Sequence, residues 1–257
     1  MGAAKVSHDI PRTPRAGSHP NPVIPQPSFP PPIRLHGANP LSDPRVAGNR
    51  PPHPRCDGDV VHDVVTGPAR RAITIPTVDG ERLGALLDLR PGASGAIVVC
   101  HPHPEHGGTM RHPLLEAISA AATSAGFDVL RFDFRGVGDS TGTHGDGIAE
   151  LEDVAAAVAA LEDIGPPVVG ITGWSFGAAT ALAWHTADAS TIAYVGIAPP
   201  VDSPLSPKLP KPELVTEPAH RTFIIGARDQ FVDIDALAGY AAAIDASVVR
   251  YETCLLY

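Results

Sequence analysis

Residues 168–187 read VVGITGWSFGAATALAWHTA, a β-branched apolar run that passes without a break into an Ala-rich run of helical composition. At the junction stands Gly173-Trp174-Ser175-Phe176-Gly177, a GxSxG pentapeptide. With 25 Gly in 257 residues, chance alone yields such a match in about one chain in eight, so the pentapeptide by itself decides little. Its setting decides more. A serine on a tight strand-to-helix turn holds its hydroxyl above the edge of a sheet, beside the first amides and the positive dipole end of the helix. The flanking glycines admit backbone that a Cβ would block. Ser175 is therefore the candidate nucleophile; the competing reading is a helix-capping serine between two turn glycines.

Working outward, short β-rich runs alternate with Ala-rich helical ones from about residue 71 onward. Strands are expected at 72–76, 82–89, 96–100, 127–132, 168–172, 191–198, 221–226 and 247–251, and helices at 112–124, 147–164, 176–187 and 233–244. Two strands followed by βα repeats predict an α/β fold, an open, doubly wound, mostly parallel sheet with its working loops at the carboxyl ends of the strands. No internal repeat of fixed period is visible.

The chain before this region has another character. Half of the 29 prolines fall in the first 70 residues, in stretches such as PQPSFPPP (25–32) that lack backbone donors and cannot bury enough apolar area to offset their ordering entropy. Residues 1–68 are expected to be a disordered Pro-rich tail and 69–257 a single domain. PxxP-type docking of the tail is a competing reading. Arg outnumbers Lys 16 to 3, which suggests a GC-rich gene and an over-extended start at Met1.

Charge divides the same way, about +3 before residue 71 and −12 after it. So acidic a body is a poor nucleic-acid binder. Three widely spaced cysteines, Cys56, Cys100 and Cys254, offer neither a disulfide framework nor a cysteine zinc site, and no apolar run reaches the length of a membrane span. A cytoplasmic protein is expected, with no cofactor and no membrane partner.

The run AIVVC leads directly into His101-Pro102-His103-Pro104-Glu105-His106-Gly107-Gly108. Three His and one Glu invite a metal reading. The two prolines stiffen the backbone and there is no HExxH helix, so the expectation is no metal. The loop is expected instead to lie beside Ser175 and offer an amide to a developing oxyanion, with His103 and Phe176 as the two donors. Asp229 follows the apolar strand TFIIG, at the sheet edge where a carboxylate can accept from an imidazole, with a helix cap or surface acid as the competing role. Asp233 is better placed to start a helix and is the second candidate for the orienting acid. Arg135 is expected to pair with nearby acids rather than bind an anionic substrate, and Trp174 to line an acyl pocket or pack under the turn.

The blocks HPHPEHGGTM (101–110), LRFDFRGVGDSTG (130–142), GIAELEDV (147–154), GWSFGA (173–178) and GARDQFVD (226–233) resemble, in this order and spacing, the α/β-hydrolase superfamily. The likeness is strongest to small lidless bacterial hydrolases related to dienelactone-hydrolase-like esterases. The resemblance covers about residues 73–251. It implies a serine nucleophile at Ser175, an orienting acid at Asp229 and a small-molecule acyl substrate such as a carboxylic ester. One departure stands out. Such hydrolases carry a base histidine in a loop after the last strand, with a closing helix behind it, and residues 252–257 hold no histidine. The sequence reading is therefore of a hydrolase fold lacking its C-terminal His loop and closing helix, with truncation or a reading-frame error as the expected cause. His185 lies too far along its helix to serve as base and His220 at the wrong sheet edge, whereas His101, His103, His106 and His144 lie at the right edge. Function is expected to be a serine hydrolase acting through an acyl-enzyme, against the alternative of a non-catalytic binding or scaffold protein with a broken triad. Covalent labelling of Ser175 separates the two.

Overall fold

The computed structural model describes residues 69–204 and 206–252. The tail expected at 1–68 and the terminal apolar residues Leu255 and Leu256 lie outside the described residues.

Ala69–Pro76 (β1) and Arg82–Leu89 (β2) form an antiparallel hairpin. Its turn is fixed by Gly80 at φ 95° and by Thr77, whose hydroxyl accepts from the Glu81 amide at 2.8 Å. Then follow Gly95–Cys100 (β3), Pro113–Ser124 (α1), Phe127–Phe132 (β4), Glu150–Ile164 (α2), Val168–Trp174 (β5), Phe176–Ala187 (α3), Ala193–Ile197 (β6), Arg221–Gly226 (β7), Ile234–Ala243 (α4) and Ser247–Tyr251 (β8). The eight strands form one sheet in the order β1-β2-β4-β3-β5-β6-β7-β8. The pairs β1–β2 and β2–β4 are antiparallel and all others parallel.

Every expected strand and helix is present, most within one or two residues of its expected bounds. Two differences concern the site. β5 continues two residues further, to Trp174, so the strand runs right up to the serine. α2 begins at Glu150 rather than at residue 147. Gly147 takes φ 82°, and the amides of Gly145 and Gly147 each donate to the Glu150 carboxylate at 2.8 Å, which forms a turn where a helix was expected.

The central strands are buried on both faces, as parallel strands with crossover helices must be. Val98 and Cys100 of β3 join the larger apolar cluster with α2, α3 and α4, while Val99 joins Leu115 of α1 and Val129 of β4. This alternation leaves β3 with almost no exposed surface. At the far edge of the sheet β8 is exposed at every residue, with Val248 at 39% and Tyr251 at 50%. Among the described residues, no helix is long and apolar enough to cross a membrane.

The parallel strands all end at one edge of the sheet, and the loops that carry His103, Ser175 and Asp229 leave β3, β5 and β7 there.

Candidate active site

Ser175 sits between β5 and α3 at φ 53°, ψ −116°, a conformation that costs a non-glycine residue about 1–3 kcal/mol and persists only when its surroundings impose it. Three contacts impose it here. The Ser175 amide donates to the Ile197 carbonyl of β6 at 2.8 Å. A Cβ on Gly173 would meet the Gly177 carbonyl oxygen at 2.5 Å, and one on Gly177 would meet the His101 carbonyl oxygen at 2.3 Å. Both glycines of the pentapeptide are thus required by close approach of backbone. Phe176 is the first residue of α3, where amides have no intrahelical acceptor.

The loop after β3 wraps back on itself. His103 starts the 3-10 turn Pro104–His106, with its Nδ1 accepting from the Glu105 amide at 3.1 Å. Gly108 donates to the His103 carbonyl at 3.0 Å, and a Cβ at Gly108 would lie 2.0 Å from the Pro102 carbonyl oxygen. Asp133, at the end of β4, anchors the far side by accepting from the Thr109 hydroxyl and the Met110 amide.

Asp229 follows β7. One carboxylate oxygen accepts from the amides of Phe231 and Val232, at 2.9 and 3.2 Å, and the other is buried without a hydrogen-bond partner among the described residues. Asp233 instead caps α4, accepting from the Ala236 amide at 3.0 Å. The sequence left both acids open for the orienting role. Of the two, only Asp229 is buried and reaches the same cleft as the serine.

That cleft has a volume of about 480 Å³ and is lined by Ser175, Phe176, His103 and Asp229 together with Trp174, His106, His112, Phe231 and Val232. The four residues assigned from sequence therefore come together. No lysine or arginine is among the lining residues. Trp174 lines the cleft and also packs against the core beside the His112 ring, with centroids 4.7 Å apart.

The histidines separate clearly. His101 is fully buried, its Nδ1 donating to the Pro102 carbonyl at 2.6 Å and its Nε2 accepting from the Phe134 amide at 3.0 Å. Burial pushes its pKa down to about 4. A second ring proton would face the Phe134 N–H. His185 is buried against the Ile192 carbonyl at 2.9 Å, and the backbone carbonyl of His220 accepts from the Tyr194 amide at the opposite ends of the strands, so neither approaches the site. His103 packs against His106, His144 and Phe176, and its pKa is lowered by burial and then by the two neighbouring imidazoles. Sequence reading missed His112 as a cleft residue; Pro113 after it signalled only a helix start.

Arg135 does not face the cleft. Its guanidinium donates twice to Asp153 Oδ1, at 3.0 and 2.7 Å, and once to Asp79 at 2.8 Å, while its amide donates to Asp153 Oδ2. Against burial, these acids hold its pKa above the ordinary value.

The neutral His101 gives a pH dependence of stability. Its folded-state pKa lies below the unfolded value of about 6.5, so the unfolded chain binds more protons between pH 6.5 and 4. Stability is full above that window and falls as pH drops through it, by about 3 kcal/mol from this group. Asp133 works the other way, since burial raises its carboxyl pKa. The direct check is NMR: the His101 ring should show no titration above pH 5. A midpoint near 6.5 would contradict its burial as the neutral form.

A sequence model of the alpha/beta hydrolase family matches residues 97–254, more than half of the chain. The chain belongs to this family. Among solved structures, this α/β hydrolase is similar to a lidless α/β serine hydrolase of Xanthomonas campestris, at 28% identity with a TM-score of 0.60 over 72% of this chain and 84% of that one. It is also similar to an alpha-beta serine hydrolase homologue from Coxiella burnetii, at 25% identity and a TM-score of 0.60 over 70% and 86%. The esterase Pf2001 of Pyrococcus furiosus shares the fold, with a TM-score of 0.61 at 19% identity over 78% of this chain and 89% of that one. Protein RP471 of Rickettsia prowazekii, uncharacterized, is 34% identical over 115 residues, 44% of this chain, and the match spans about half of that relative's length, 48%.

Proposed function

We propose that this α/β hydrolase cleaves carboxylic esters or related uncharged acyl compounds through an acyl-enzyme on Ser175. The observation that carries the reading is the strained Ser175 turn sharing one cleft with the buried Asp229 carboxylate. In the first step the Ser175 oxygen attacks the substrate carbonyl, a histidine accepts the hydroxyl proton, and Asp229 holds that imidazole through its free oxygen. The tetrahedral oxyanion takes hydrogen bonds from the His103 and Phe176 amides. Collapse expels the alcohol, which takes the proton back, and water then attacks the acyl-enzyme by the same route. A cleft lined by Trp174, Phe231 and Val232, with no lysine or arginine among its described lining residues, supports an uncharged acyl group over a carboxylate-bearing one.

The test is covalent. A fluorophosphonate probe should modify one residue, Ser175, located by peptide mass spectrometry, and Ser175→Ala should carry no label. Label on another serine, or unchanged labelling of Ser175→Ala, would remove the assignment. Total absence of labelling, even with added imidazole, would favour a binding protein on a hydrolase fold.

A further inference from the structure

Next to the cleft, three side chains from two separate loops converge. His103 and Glu105 come from the loop after β3, and His144 comes from the loop between β4 and α2. One donor atom from each lies within 4.8 Å of the others. Four-coordinate zinc holds nitrogen and oxygen ligands at about 2.0–2.2 Å, so its ligand atoms stand roughly 3.3 Å apart, and closing the group asks for side-chain movement of about 1.5 Å or less. His144 stands beside a buried carboxylate that could back its ring on metal ligation, with no aligned hydrogen bond between the two as they stand. Its Nδ1 lies 2.7 Å from a carboxylate oxygen of Glu150, a side chain with no exposed surface that is itself fixed by the Gly145 and Gly147 amides. That leaves Nε2 of His144 as the outward nitrogen.

We propose that His103, Glu105 and His144 form a binding site for a single Zn²⁺ ion. Two imidazoles and one carboxylate are a ligand set suited to Zn²⁺, and three protein ligands leave a fourth position for water or an anion. Ligation through either nitrogen of His103 gives up the hydrogen bond from the Glu105 amide, a cost that lowers the affinity while the backbone bond from the His106 amide to the His103 carbonyl can stay. Binding is therefore reversible. His103 also lines the cleft, and a bound ion would restrain the backbone beside Ser175. Slower acylation follows, a consequence that rests on the proposed function, whereas the binding itself does not.

The experiment titrates Zn²⁺ into the full chain by calorimetry after chelator treatment, with Co²⁺ as a spectroscopic probe. One equivalent should bind, and Co²⁺ should give the strong visible bands of a four-coordinate site. Glu105→Gln, at an exposed position, and His144→Ala should each weaken binding at least tenfold. Glu150→Gln, which removes the backing carboxylate, should weaken it by about 10–100-fold. Absence of binding to the native chain overturns the proposal. So does affinity unchanged in both Glu105→Gln and His144→Ala, which would place the ion on other histidines. Slower fluorophosphonate labelling with Zn²⁺ present reports on the cleft separately: loss of that effect with binding intact would count against the role of the His103 amide, not against the metal site.

Discussion

Added imidazole should raise the rate at which Ser175 is acylated by about a hundredfold, the lower end of what a positioned general base contributes. The reason lies in Asp229. Its carboxylate is buried in the cleft with one oxygen satisfied by two backbone amides and the other without a partner among the described residues, so an imidazole bound there gains a charge-assisted hydrogen bond and is turned toward the serine. Three comparisons are needed, because imidazole hydrolyses activated esters by itself. The gain over the solution reaction should vanish in Ser175→Ala and fall by at least tenfold in Asp229→Asn, and it should saturate with imidazole concentration in the native chain. A linear dependence that survives Asp229→Asn would mean that Asp229 orients nothing. Fast acylation without imidazole would mean that one of the chain's own histidines already serves as base, with His103, His106 and His112 reaching the cleft among the described residues.

The second large effect concerns stability. Asp153→Ala should cost about 3–5 kcal/mol, the range expected when one partner of a buried ion pair is removed and the other left behind. Asp153 has no exposed side-chain surface and binds Arg135 through both the guanidinium and the backbone amide, so its removal strands a buried cation and an amide together. Asp79 remains as a partial partner for Arg135, at 2.8 Å, but it is itself partly exposed. Urea denaturation would measure the loss. The double variant Arg135→Met, Asp153→Leu should recover most of it, since an apolar pair of similar volume carries no desolvation cost. A single-variant loss below about 1 kcal/mol would show that the pair is solvated and that Arg135 can turn outward.

Sequence and structure agree best where structure is local. The strand at 82–89 lies between Gly80 and Pro91 and that at 127–132 follows Gly126, both rich in apolar residues, and the helix at Pro113 has a proline at its first position. The serine turn was legible for the same reason, since strand, turn glycines and helix are contiguous in the chain. Asp229 was legible because any residue just past a parallel strand lies at the working edge. What could not be read depended on chain segments meeting across the fold. His103 and His144 are separated by α1, β4 and a long loop, and only the folded path of residues 133–150 brings their rings within 5.0 Å. The metal reading was set aside from the spacing of 101–106 alone, without the ligand from the second loop. Glu150 was unreadable in another way. Acids in a first helical turn are usually solvated, whereas this one is sealed beneath His144 with its oxygens turned toward the Gly145 and Gly147 amides.

The position of β3 at the middle of the sheet has a consequence for how the protein is made. Its two neighbours, β4 and β5, both come after it in the chain, so during synthesis the segment GAIVVC leaves the ribosome with both hydrogen-bonding edges open and both faces apolar. The earlier hairpin cannot help, because β2 reaches the sheet only through β4. An uncharged, β-branched run in that state is the kind that pairs with other nascent chains. Until β5 emerges, the segment depends on binding by chaperones or on fast closure of α1 and β4 around it. Translation speed over residues 101–174 therefore sets how long those edges stay open.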